Sequence, residues 1–150
     1  LPQLAMATSS ASYDLVLYGA TGFTGRLTAE YLASSTELRR WAIAGRSREK
    51  LESVRASLTG PAAGLADILV CDLADTGAVE TLVGSSRVVL SAAGPYSTNG
   101  GAALLGACAR LGVHYSDLSG ETWWQRRMID EWHKTAVASG AKIVFGGGVD

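Results

Sequence analysis

Two cysteines, two histidines and three prolines are all that these 150 residues contain of each, and charged residues make up 18%, with a net charge of −1. Cys71 and Cys108 are too few for a disulfide framework and lack the spacing of a zinc site. A reducing compartment follows, and the cytoplasm is the expected location. His114 and His133 stand far apart without ligand-like neighbours, so no metal centre is expected and both read as structural. So small a net charge leaves no broad basic surface, which excludes nucleic acid and anionic lipid as partners. No apolar run approaches the roughly 20 residues that a spanning helix needs, so no membrane span is expected. There is no internal repeat and no low-complexity linker. What the chain does hold is glycine, 18 residues of it, in a 47% hydrophobic composition. That is enough apolar material for one globular domain with a full core, and a homo-oligomer is compatible with it.

The glycines gather where the chain is most informative. Leu15-Val16-Leu17-Tyr18 has the length and content of a buried parallel strand. Gly19, Gly22 and Gly25 then recur every third residue, and a helical pattern begins at once with Leu27 and Tyr31. Strand, glycine turn and helix in that order form a dinucleotide cradle. Gly19 allows the tight turn, Gly22 leaves room for a pyrophosphate, and Gly25 lets the helix pack closely. The helix start offers unpaired N–H groups and a positive dipole end to the phosphates.

Apolar runs and amphipathic segments alternate to the end, the pattern of a doubly wound parallel α/β sheet of the Rossmann type. Strands are expected at Trp41–Ala44, Ala66–Cys71, Arg87–Ala92, Val113–Asp117 and Lys142–Phe145. The second helix is capped by Ser47, buries Leu51, Val54 and Leu58, and stops at Thr59-Gly60-Pro61. A short helix over Asp75–Val83 turns Val79 and Leu82 inward. The next turns Leu104, Cys108 and Leu111 inward. Ser119 caps a longer helix in which Trp124, Met128, Trp132 and Ala136 recur every four residues before Gly140 ends it. Six strands in the order 3-2-1-4-5-6 use up residues 13–150. The first dozen residues lack a signal-peptide pattern. They read as a disordered tail or expression remnant, with Met6 a possible native start. Gly146-Gly147-Gly148 leads out toward a substrate domain that the 150 residues do not include.

In such a sheet the ligand lies over the carboxyl ends of the strands. After the second strand stands Gly45-Arg46-Ser47, roughly 20 positions beyond the third glycine, where a free ribose 2′-hydroxyl would call for an acid. A guanidinium beside a hydroxyl suits a 2′-phosphate instead, so the expected cofactor is NADP. The plainer alternative for Arg46 is a solvated surface arginine. Asp72, after the third strand, either meets an adenine amino group or starts the next turn. After the fourth, Ala92-Ala93-Gly94-Pro95 is small enough for diphosphate and nicotinamide ribose to lie against the backbone. Tyr96 beyond it sits at the mouth, as a packing or gating aromatic, or one that touches the nicotinamide end or helps in proton transfer. No Tyr-x-x-x-Lys pair follows, since position 100 is Gly100. Ser119 and Glu121 are explained by helix capping and the dipole, or line a substrate cleft. Cys71 and Cys108 read as small buried hydrophobes.

Taken together, Tyr18–Arg26, Ala44–Leu51, Ala92–Tyr96, His114–Glu121 and the terminal Gly-Gly-Gly-Val-Asp resemble the saccharopine dehydrogenase-like oxidoreductases, a group that includes the mycobacterial trans-acting enoyl reductases. The resemblance runs from about Ser12 to Asp150. It implies a nicotinamide-binding Rossmann domain followed by an α/β substrate domain. It also implies cofactor contacts at Gly19, Thr21, Gly22, Phe23, Arg46, Ser47 and Ala93. The group's substrates range from amino-acid conjugates to lipid enoyl chains, so it implies a small-molecule substrate and hydride transfer without naming a catalytic residue. The competing expectation is a non-catalytic NADP(H)-binding redox sensor or scaffold.

Overall fold

The computed structural model describes residues 11–148; Val149, Asp150 and most of the expected tail, residues 1–10, lie outside them. The elements run β1 (Tyr13–Tyr18), α1 (Phe23–Ala33), β2 (Trp41–Gly45), α2 (Arg48–Ser57), β3 (Ala66–Val70), α3 (Thr76–Gly84), β4 (Ser86–Ser91), α4 (Gly101–Leu111), β5 (His114–Asp117), α5 (Thr122–Ser139) and β6 (Ile143–Val144). All strands are parallel, in the order β3-β2-β1-β4-β5-β6. The expected Rossmann-type sheet is the observed one. The order reverses between β1 and β4, so their carboxyl ends flank a crevice.

Side chains alternate across the sheet and divide the core in two. Leu17, Trp41 and Ile43 lie beneath α1 and α2, with Ala29, Ala33, Leu51 and Val54. Val16, Val89 and Tyr115 lie on the other face, beneath Val79 of α3, Leu104 and Cys108 of α4, and Trp124 and Met128 of α5. Trp41 is fully buried and donates its indole N–H to Ala62 O at 2.9 Å. Arg40 fastens the start of the described chain, donating to Ala11 O at 3.0 Å while pairing with Asp14.

One side chain faces away from its expected direction, and α1 seats on residues that its apolar pattern does not mark. Leu27 and Tyr31 are exposed; α1 lies on the sheet with Gly25, Ala29 and Ala33 instead, spaced by four. A helix seated this close to a sheet needs small residues on its inner face, so the larger ones are left outside. Leu111 is likewise exposed, and Leu105 completes the inner face of α4. Ser119 does not cap α5, whose N-cap is Glu121 with no side-chain cap bond. The sixth strand pairs over two residues only.

Candidate functional site

The β1–α1 loop is shaped by its glycines in three different ways. Gly19 has φ +86°, a conformation that side chains resist. A Cβ there would stand 2.9 Å from the Ala93 Cβ and backbone N, so the turn lies directly against the loop after β4. A Cβ on Gly25 would stand 2.1 Å from Gly19 O, so the helix can only seat with glycine there. Gly22 is extended, at φ −76° and ψ 171°, and a Cβ on it would meet nothing nearer than Gly19 O at 3.6 Å. The fold makes no demand for glycine at 22, and the space in front of it is open.

The start of α1 faces that same space. The first amide to find an acceptor in this turn is that of Arg26, on Gly22 O at 2.9 Å; those of Phe23, Thr24 and Gly25 have none among the described residues. No side chain caps the helix, and its first turn holds no acid. By contrast, Ser47 caps α2 through the Lys50 amide, and Asp75 caps α3 through that of Ala78. Three free amides at a positive helix end, in front of an open glycine, suit a pyrophosphate in charge and in room. Phe23, the first residue of α1, is 83% exposed.

Beside this loop lies a cleft of about 390 Å³ lined by Tyr18, Arg46, Asp72, Leu73, Ala74, Ala93, Thr98, Asn99 and Gly100. It gathers Arg46, Asp72 and Ala93 from the ends of three strands. Thr21 is close too, since a Cβ on Gly45 would be 4.0 Å from its methyl group. Arg46 is exposed and makes no ion pair within the described residues. The Ser47 hydroxyl accepts from the Lys50 amide at 3.3 Å, which leaves its own proton free to donate. Asp72 Oδ1 accepts from the Ala74 amide at 3.0 Å, so the residue does start the next turn. Its Oδ2 makes no bond among the described residues and remains available on the cleft wall. Tyr18, under Arg46, donates to Cys71 O at 3.0 Å, and burial pushes its phenol up to about 12. Two larger hollows, of about 620 and 670 Å³, lie toward the amino ends of the strands, lined among others by Tyr13 and Asp67 and by Asp14 and Leu38. Open parallel sheets bind ligands at the opposite ends.

The third wall is the loop after β4, and it is fastened on two sides. Tyr96 is buried, not set at the mouth. Its hydroxyl donates to Ser91 O at 2.9 Å and accepts from the Leu118 amide at 3.2 Å, and its ring packs 5.6 Å from that of Trp124. Burial raises its pKa, and with its hydroxyl bonded on both sides it packs the loop in place. Glu121 reaches across from the start of α5. Its Oε1 accepts from the Tyr96 amide at 2.6 Å and its Oε2 from that of Ser97 at 3.3 Å. The Ser97 hydroxyl, then these amides, hold the carboxyl below the ordinary glutamate range. Ser119 is buried and donates its hydroxyl to Asp117 at 2.7 Å. Asp117, itself fully buried, also accepts from the Tyr115 hydroxyl and the amides of Ser119 and Gly146.

Sequence reasoning missed this carboxylate latch, and it missed Thr98 and Asn99 on the cleft wall. One signal was available: Asn99-Gly100 is a turn dipeptide, and Gly100 does have φ +79°. The cysteines are buried and inert, with the Cys71 thiol pushed up to about 11 and that of Cys108 higher still. His114 Nδ1 accepts from the Lys142 amide, a structural role. No metal-binding cluster is present among the described residues, and none of their helices is long and apolar enough to cross a membrane.

The family model described as "Saccharopine dehydrogenase NADP binding domain" matches residues 15–144. A trans-acting enoyl reductase of Mycobacterium leprae is 47% identical over 145 residues, which are 97% of this chain and 34% of that protein. Its namesake from Mycobacterium tuberculosis is 43% identical over the same lengths. The chain thus spans about a third of the curated relatives it matches. Among solved structures, saccharopine dehydrogenase (L-Glu forming) of Saccharomyces cerevisiae superposes with a TM-score of 0.73 at 18% identity, covering 91% of this chain and 27% of that one. The Citrobacter sp. triphenylmethane reductase, complexed with NADP(H), gives 0.62 at 13% identity, covering 89% and 48%. At such identities the structures speak for the fold alone.

Proposed function

The chain belongs to the saccharopine dehydrogenase NADP-binding domain family, and from that premise we propose that it binds NADP(H) as the cofactor domain of an oxidoreductase that transfers hydride. The observation that carries the proposal is the open front of Gly22 at the uncapped start of α1. In this reading the amides of Phe23 and Thr24 hold the pyrophosphate, with Gly19 and Gly25 shaping the loop and Thr21 flanking it. Arg46 and the free proton of Ser47 take the 2′-phosphate. Asp72 Oδ2 accepts from the adenine amino group. Ala93 and Gly94 give a flat wall to the nicotinamide-side ribose, and Glu121 keeps that wall in place through Tyr96 and Ser97. The bound dinucleotide supplies the hydride; the protein orients it.

The relatives' name makes an enoyl compound, a lipid-type small molecule, the favoured substrate class. The substrate site would be built by chain beyond these residues, with the whole working in the cytoplasm. Titration of the 150-residue chain with NADPH by calorimetry tests the binding claim. One site per chain is expected. Absence of binding up to about 1 mM, the weak end of common enzyme–ligand affinities, would reject it.

A further inference from the structure

The two faces of the sheet are covered unequally, and the register shows where the cover ends. On one face the row Val16, Val89, Tyr115, Ile143 runs from β1 to β6 and stays beneath α4 and α5: the first three are buried and Ile143 packs against the same core. On the other face the adjacent row is Leu17, Leu90, Ser116, Val144. Leu17 is fully buried under α1, Leu90 and Ser116 are half-buried, and Val144 is 54% exposed. The next row, Leu15, Val88 and His114, is half-buried throughout. The core beneath α1 and α2 reaches Leu90 at its margin and takes in nothing from β5 or β6. Among the described residues, this side of β4, β5 and β6 is therefore an uncovered surface of an all-parallel sheet.

Parallel sheets occur almost only with both faces covered. We propose that this half-face seats an amphipathic helix of the same protein, supplied by the chain that its relatives possess beyond the third spanned here. The surface fits such an element. It is a patch beside α1 with half-buried aliphatic side chains at Leu90 and Val88, exposed Val144, and a short polar group at Ser116. The backbone leaving β6 already turns onto it, since a Cβ on Gly147 would stand 2.8 Å from the Ser116 Oγ. The inference does not depend on which cofactor is bound.

Thiol labelling tests it, because both native cysteines are buried and leave a quiet background. Ser116→Cys and Val144→Cys are made in the 150-residue chain and in the complete polypeptide, whose mass in solution is measured alongside. In a monomeric complete polypeptide both thiols should react at least about tenfold more slowly than in the 150-residue chain, as buried positions that must open locally do. Hydrogen exchange of β5 and β6 in the unsubstituted proteins should show the same protection. Equal reactivity in the two would overturn the proposal. So would protection that appears in the 150-residue chain as its concentration rises, which would make the occupant a second copy. A complete polypeptide with no further chain would overturn it as well.

Discussion

A Cβ placed on Gly25 would stand 2.1 Å from Gly19 O, whereas one on Gly22 would touch nothing closer than 3.6 Å. Substitutions at these two positions, three residues apart, should therefore have opposite signatures. Gly25→Ala forces α1 off its seat and should cost about 1–3 kcal/mol of stability, the usual range for overpacking, read as a lower Tm. Gly22→Val has a backbone that any residue adopts and open space for its side chain. It should leave Tm within a few degrees, since sites free of such strain seldom move stability beyond about ±0.5 kcal/mol. Its isopropyl group would fill the place of the pyrophosphate, so NADPH binding should be lost in calorimetry. Retained binding by a folded Gly22→Val would remove this loop from the site. Gly19 is the third case, fixed by its φ of +86°.

Among the elements, the β4 loop and the start of α5 depend on one carboxylate. Glu121→Gln keeps the shape but turns an amide NH₂ toward one of two backbone donors. A hydrogen bond to a charged group is worth about 1.5–3 kcal/mol, so the loop should spend more time away from its binding position. NADPH and NADH should then weaken together, by up to about tenfold, while adenosine 2′,5′-bisphosphate, which lacks the nicotinamide half, changes little. Unchanged dinucleotide affinity would leave Glu121 as a purely structural tie with no part in cofactor binding. The carboxyl is held below its ordinary value of 4.5, so its contribution is full above that pH and lost as acid carries it through the folded value. Thermal melts should show the gap between wild type and variant constant above about pH 5 and closing below it. Little of this was legible in the sequence. Strand, glycine turn and helix are local signals, and the six strands could be read from them. In the sequence Glu121 reads as a helix-start acid or a cleft-lining residue, because its partners lie 24 and 25 residues away. Leu111 misled for a related reason, and Leu27 and Tyr31 mark α1 without marking its inner face. Apolar spacing marks a helix face, but only packing decides which face is inside, and here Gly25, Ala29 and Ala33 win by being small.

At the scale of the molecule, the crevice between β1 and β4 has a floor and walls but nothing over it among the described residues. Hydride transfer needs a substrate held in near-attack geometry and water kept out. The 150-residue chain should therefore bind NADPH without consuming it when offered enoyl substrates, with absorbance at 340 nm as the readout; steady consumption would show that these residues suffice. The central claim is narrower, that the crevice selects the phosphorylated dinucleotide and that Arg46, unpaired at the end of β2, is the main reason. NADPH and NADH differ only at the ribose 2′ position, and a charge-assisted bond there is worth about 1.5–3 kcal/mol, or roughly ten- to a hundredfold in Kd. The direct measurement is four titrations at one salt concentration, wild type and Arg46→Ala each with NADPH and NADH. The account predicts that the wild type prefers NADPH, and that the variant loses roughly ten- to a hundredfold for NADPH while its affinity for NADH is almost unchanged. Equal binding of the two cofactors by the wild type would contradict it.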